Sequence, residues 1–198
     1  FAYSPLIPAL VAERWFSPAE AAYLGAANLG GYLVGALIAG RLSRAAAVAT
    51  VLRAMMLLAT ASFFACAFPL PFAWFFTWRF AAGIAGGALM VLAALAVLPH
   101  VPAGQRGLVG GAIFTGVGLG VAASGTLVPL LMRFGLTETW LSFGTICLAL
   151  TIVAWSGWPL DPRTHSAAER VVAAPSTLRA DRAFLTLCGE YALNAVGL

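Results

Sequence analysis

The sequence contains no lysine, and only 9% of its 198 residues carry charge. Soluble domains carry about 25% charged residues, so an ordinary water-facing surface is excluded. The missing lysine also removes any phosphate-cradling G-x-x-x-x-G-K-[ST] loop, and with it an ATP-driven pump built on that motif. No H-E-x-x-H occurs, and both histidines, His100 and His165, fall in polar linkers, so no serine or carboxylate inside an apolar run has a histidine base beside it. An intramembrane enzyme fails on that inventory. The three cysteines, Cys66, Cys147 and Cys188, lie in or at the edge of apolar runs without paired spacing. They read as small core residues rather than metal ligands or a disulfide framework.

What is present is apolar length. Hydrophobic residues make up 62% of the chain and the mean hydropathy is +0.94. Runs long enough to span a bilayer recur, while the alternating signature of a transmembrane barrel does not, so the expected fold is an all-α polytopic membrane bundle. All eleven basic residues are arginine and most sit in linkers, so the net charge of +4 reads as an orientation signal rather than a nucleic-acid footprint.

The expected elements are a partial first helix over about 1–11, bent by Pro5 and Pro8, then helices over about 18–40, 46–68, 72–98, 107–132 and 140–158. Together they form an amino-terminal bundle over 1–158, followed by a polar connector over 159–183 and the start of a seventh helix over 184–198. Both ends fall inside apolar segments too short to span, so the sequence reads as a fragment. Ser17, Pro18 and Glu20 announce a helix start: a hydroxyl cap, a proline at the first helical position and a carboxylate three residues after the cap. Trp74 and Trp78 mark an interfacial level. Arg53, near the start of the third helix, is placed to snorkel to the headgroups.

The organising element is Phe72–Leu98, which carries one charge, Arg79, about six residues inside the run. A guanidinium at that depth cannot face lipid, so it points into a bundle interior or a water-filled cavity. It could bind an anionic substrate, hold helix carbonyls, or pair with a carboxylate such as Glu190. Gly83, Gly86 and Gly87 follow on a helical stride and admit a close neighbour. On the second helix Gly31 and Gly35 repeat that device, and Asn28 and Tyr32 lie four apart, either lining a pathway or forming an interhelical hydrogen-bonding pair. Helix five has two small-residue rows, Gly107, Gly111, Thr115 and Gly116, Gly120, Ser124, which would let backbones approach on two sides. Arg41 and Arg44 read as a short basic turn.

Arginines divide seven to two between the two sides: Arg41, Arg44, Arg106, Arg163, Arg170, Arg179 and Arg182 against Arg14 and Arg133. The first set is expected to be cytoplasmic, the connector over 159–183 included.

Three local patterns resemble the amino-terminal half of a major facilitator superfamily transporter. Arg79-Phe80-Ala81-Ala82-Gly83 looks like its R-x-x-x-G element, and Gly111 to Gly125 looks like its glycine-rich packing motif, though without the usual Gly-Pro pair. GALIAGRLSR resembles its G-x-L-x-D-R-x-G-R-R signature: Gly35, Leu37 and Arg44 match. Ala39 and Gly40 stand where Asp and Arg are expected, which leaves the family's cytoplasmic gating salt bridge open. The resemblance implies two six-helix bundles with inverted repeats inside each, and a central cavity lined by helices one, four and seven. Tyr3 and Ser4, Arg79, and Glu190 with Asn194 would then approach a common substrate space.

The implied activity is secondary transport of a small molecule by alternating access, with protons as the candidate coupling ion and Glu190 the only carboxylate at membrane depth. A transporter-like sensor or scaffold without flux is the alternative. The expected partners are a small-molecule substrate and the lipid bilayer, with no cofactor and no nucleic acid. The expected state is a monomer in the cell (inner) membrane.

Overall fold

A computed structural model describes residues 3–158, in which every regular element is a helix. These are α1 (Tyr3–Ala12), α2 (Pro18–Ala45), α3 (Val48–Ala65), α4 (Phe72–Val97), α5 (Arg106–Leu131) and α6 (Leu136–Ala154), with short 3-10 turns at Leu98–His100 and Ala103–Gln105. Five of the helices are long and apolar enough to cross a membrane. The connector over 159–183, the seventh-helix segment over 184–198, and the candidates Glu190 and Asn194 lie outside the described residues.

Local chemistry sets the ends. α1 closes on Arg14, whose φ of 56° is left-handed, and the N–H of Trp15 reaches back to the Leu10 carbonyl at 3.0 Å while that of Arg14 reaches Val11 at 3.1 Å. That pattern satisfies the last carbonyls of a helix and normally recruits glycine. α2 opens on the capping box expected there: Ser17 Oγ accepts the Glu20 N–H at 3.3 Å, and Glu20 Oε2 accepts the Ser17 N–H at 2.8 Å.

Three boundaries differ from the sequence reading. α2 continues to Ala45, so Arg41 and Arg44 ride its last turns, exposed, instead of forming a turn. Nothing in the intervening residues breaks a helix, and Ser43 returns its hydroxyl to the Gly40 carbonyl at 3.0 Å. α3 stops at Ala65, where the Trp74 indole donates to the Ala65 carbonyl at 2.7 Å and takes over an unpaired helix end. α6 occupies Leu136–Ala154 rather than 140–158. Its first turn contains polar residues that read as linker, yet Thr139 is fully buried and donates to the Gly135 carbonyl at 2.7 Å.

The tightest packing joins α2 to α4. A Cβ at Gly31 or Gly35 would run into the backbone of Phe80 or Ile84, and one at Gly83 or Gly87 into the backbone of Asn28 or Tyr32. The glycines are reciprocal, so the two backbones lie in contact. α3 and α6 run antiparallel: Arg53 near the start of α3 donates Nε to the Trp155 carbonyl at 2.9 Å, with Cζ 5.3 Å from the Trp155 ring, while Phe63 near the end of α3 stacks on Phe143. Arg53 therefore serves the carbonyl end of α6, where a cation is favoured.

α5 is the outlier. Of its residues only Ser124 and Val128 are buried, and among the described residues nothing lies within 4 Å of a Cβ built at Gly107, Gly111, Gly116 or Gly120. The close approach expected along its glycine rows is not made by any of the other described helices.

Candidate functional site

Arg79 sits on α4 seven positions after Phe72, roughly 10 Å along the helix at 1.5 Å per residue. Its residue is 3% exposed, so the guanidinium is inside the bundle, as a charge at that depth requires. Nη2 donates to the Ser62 carbonyl at 3.3 Å and lies 3.5 Å from the Ser62 hydroxyl, which itself donates to Ala59 at 2.7 Å. Ser62 belongs to the last turn of α3, where its carbonyl also accepts the Cys66 N–H at 3.3 Å and the helix dipole is negative.

Besides the buried Cys66 thiol, which the guanidinium also approaches, aromatic rings line the site. Cζ of Arg79 lies 4.9 Å from the Trp140 ring centroid and 5.8 Å from those of Tyr3 and Phe63. Trp140 packs in turn against Phe63 and edge-on against Phe75, and the Tyr3 hydroxyl donates to the Ala21 carbonyl at 2.9 Å. One guanidinium thus joins α1, α3, α4 and α6. Among the described residues no carboxylate forms an ion pair with it. Arg79 Nε and Trp140 Nε1 are both buried without a hydrogen-bond acceptor there.

The magnitudes are matched. A central arginine costs about 2.5–3.5 kcal/mol on insertion scales. A desolvated cation–π contact contributes about 2 kcal/mol, and a hydrogen bond from a charged group about 1.5–3 kcal/mol. The Trp140 face and the Ser62 carbonyl together are enough to hold the charge, before Tyr3 and Phe63 are counted.

The other expected residues divide. Tyr3 joins Arg79, whereas Ser4, its neighbour on α1, is exposed and does not. Asn28 and Tyr32 present their backbones to Gly83 and Gly87, and the Tyr32 ring lies 3.6 Å from a Cβ built at Gly86. Their side chains make no hydrogen bond among the described residues, so the interhelical pair that their spacing allows is not formed. Tyr32 is 38% exposed and Asn28 half-buried. Gly35 and Gly83 are helix-contact glycines, Arg41 and Arg44 are exposed cations, and Gly111, Gly116 and Gly120 stand open.

Ser62, Phe63 and Trp140 carry no sequence flag. Ser62 is legible in hindsight, because a tight α3–α4 hairpin must bring the end of one helix beside the first turns of the next. Trp140 is not, since only the folded path of α6 brings it to α4.

Five membrane-length helices bundled around an arginine buried at depth define the class of polytopic helical membrane proteins. The family model described as "Uncharacterised MFS-type transporter YbfB" matches residues 1–198. The chain belongs to this family of MFS-type transporters and is an all-α multi-pass membrane protein with a transport role. No curated protein and no solved structure matches it.

Proposed function

We propose that the chain carries out secondary transport of a small organic solute by alternating access, in the cell (inner) membrane, with a proton gradient as the driving force. The observation that carries this reading is the α2–α4 pair: two helices locked backbone to backbone by Gly31, Gly35, Gly83 and Gly87, with the Asn28 and Tyr32 side chains left at membrane depth without hydrogen-bond partners among the described residues. Polar side chains in a membrane span are costly unless paired or wetted. A rigid pair presenting unpaired amide and phenol groups suits a solute pathway.

By the family resemblance, residues 1–158 supply one bundle, residues 159–183 the cytoplasmic connector, and residues 184–198 the first turns of a second bundle. The exposed glycine rows of α5 offer a surface on which that second bundle would close. Glu190 is the carboxylate assigned to proton coupling, with Asn194 beside it on the same helix.

The test is solute uptake into vesicles holding the chain continued past Leu198 to about twelve helices, under an imposed pH gradient. Accumulation that follows the gradient, needs no ATP and collapses with an uncoupler is the expected result. Accumulation unchanged by Asn28→Ala combined with Tyr32→Ala would remove those residues from the pathway. ATP-dependent accumulation would overturn the secondary mechanism.

A further inference from the structure

We propose that Trp140 is a positioning residue whose indole face, backed by Tyr3 and Phe63, serves as the counter-charge of Arg79 and holds its guanidinium against the end of α3, with no carboxylate beside it among the described residues. The argument begins with what surrounds the cation. Three aromatic rings lie within 6 Å of Cζ, the Trp140 ring at 4.9 Å being the nearest, and one backbone carbonyl accepts from Nη2. Among the described residues no carboxylate pairs with it.

Hydrogen bonds from Nη2 alone, to the Ser62 carbonyl at 3.3 Å and its hydroxyl at 3.5 Å, leave part of a guanidinium's five donors without a partner. Arg79 Nε is such an orphan, buried and without an acceptor among the described residues. An aromatic face answers that deficit, because its negative quadrupole attracts the cation and its π cloud accepts weakly from N–H groups. Indole has the strongest face of the three ring types, and Trp140, fully buried, has no competing water. Phe63 and Phe75 flank the indole at 6.0 and 6.4 Å and keep it from rotating away.

The cage also fixes which way the guanidinium goes. It points to Ser62 and the α1–α3–α6 side, while Gly83, one turn further along α4, faces the α2 backbone. Loss of the indole face would free Arg79 from the end of α3. This inference stands whether or not the chain carries solute, because its readouts are taken on the resting protein.

The test uses tryptophan bearing one, two or three ring fluorines at position 140 of the purified chain in detergent micelles. Fluorine drains the negative potential of the face while leaving the ring's shape nearly unchanged, so simple packing is preserved across the series. Two quantities are read: the unfolding midpoint, and hydrogen exchange of the Arg79 Nε–H in protein labelled with 15Nε-arginine, assigned by its disappearance in Arg79→Lys. We expect the midpoint to fall stepwise with fluorine number. Arg79 Nε–H exchange should accelerate, reaching roughly tenfold or more for the full series if the contact is a desolvated one. The same fluorines at Trp78, which packs on Trp74 at 5.8 Å with no cation over its ring among the described residues, should leave both readouts unchanged. In an Arg79→Gln background the position-140 series should be flat. A flat series at position 140 in the wild-type background, or an equal fall in the Arg79→Gln background, would overturn the proposal.

Discussion

At the scale of single residues, the arrangement distinguishes between roles that a lone intramembrane arginine leaves open. Arg79 reaches a main-chain carbonyl at 3.3 Å and the hydroxyl of the same residue at 3.5 Å, the longer contact being near the limit of a hydrogen bond. Ser62→Ala should therefore lower stability by no more than about 0.5 kcal/mol, since the carbonyl survives the change. Chemical denaturation in mixed micelles would measure it, and a loss above about 1.5 kcal/mol would assign the grip to the hydroxyl. Arg79→Lys keeps the charge but gives up the planar group that stacks on indole while donating sideways. It should fold with a loss of about 1–2 kcal/mol, less than the cost of Arg79→Ala, which leaves the aromatic cage around a void. Arg14 invites the opposite change. It holds a left-handed φ of 56° at the end of α1, a conformation that costs a side-chain-bearing residue about 1 kcal/mol. Arg14→Gly should raise stability by about that amount, and an unchanged or lower denaturation midpoint would mean that the arginine side chain contributes something the backbone argument leaves out.

At the scale of helices, spacing was legible and neighbours were not. Glycines four apart mark a face that another backbone can approach, and the sequence has such faces on α2, α4 and α5. Periodicity identifies a face without saying what lies across it, because every helix with such a stripe looks alike in one dimension. The fold uses Gly31, Gly35, Gly83 and Gly87 for backbone contact, while Gly111, Gly116 and Gly120 meet nothing within 4 Å among the described residues. The two sets should respond oppositely to one added methyl group. Gly83→Ala must push the α2 and α4 backbones apart and should cost about 3 kcal/mol, at the upper end for overpacking. Gly120→Ala has room among the described helices and, as long as no second bundle closes on α5, should gain up to about 1 kcal/mol from helix propensity. Equal losses at both positions would mean that α5 packs as tightly as α4. Helix ends were legible where side-chain chemistry announces them, as at Ser17 and Glu20. The start of α6 was not, because Thr137, Glu138 and Thr139 have linker composition and the burial of Thr139 follows only from packing against neighbouring helices.

At the scale of the molecule, the distribution of arginine is the part of the sequence that speaks about the membrane rather than the fold. The described helices alternate in direction, and the antiparallel α3–α6 contact, with Arg53 at the end of α6 and Phe63 beside Phe143 at the other end, agrees with odd and even helices crossing oppositely. One side then receives Arg41, Arg44 and Arg106, and the other Arg14 and Arg133. Positive residues in short loops stay on the cytoplasmic side because moving them across the bilayer is disfavoured. Arg79 does not enter that count: it is buried in the bundle and its charge is met by rings and a carbonyl, so it exerts no pull on loop placement. The expected outcome follows for two exposed positions, Ala47 between α2 and α3 and Phe134 between α5 and α6. With Cys66, Cys147 and Cys188 replaced by alanine, Ala47→Cys should react with a membrane-impermeant maleimide only after the cells are opened, and Phe134→Cys in intact cells. Labelling in the reverse order would invert the molecule. Labelling of both from one side would require an even number of crossings between them, in conflict with the three helices α3, α4 and α5 that separate the two loops.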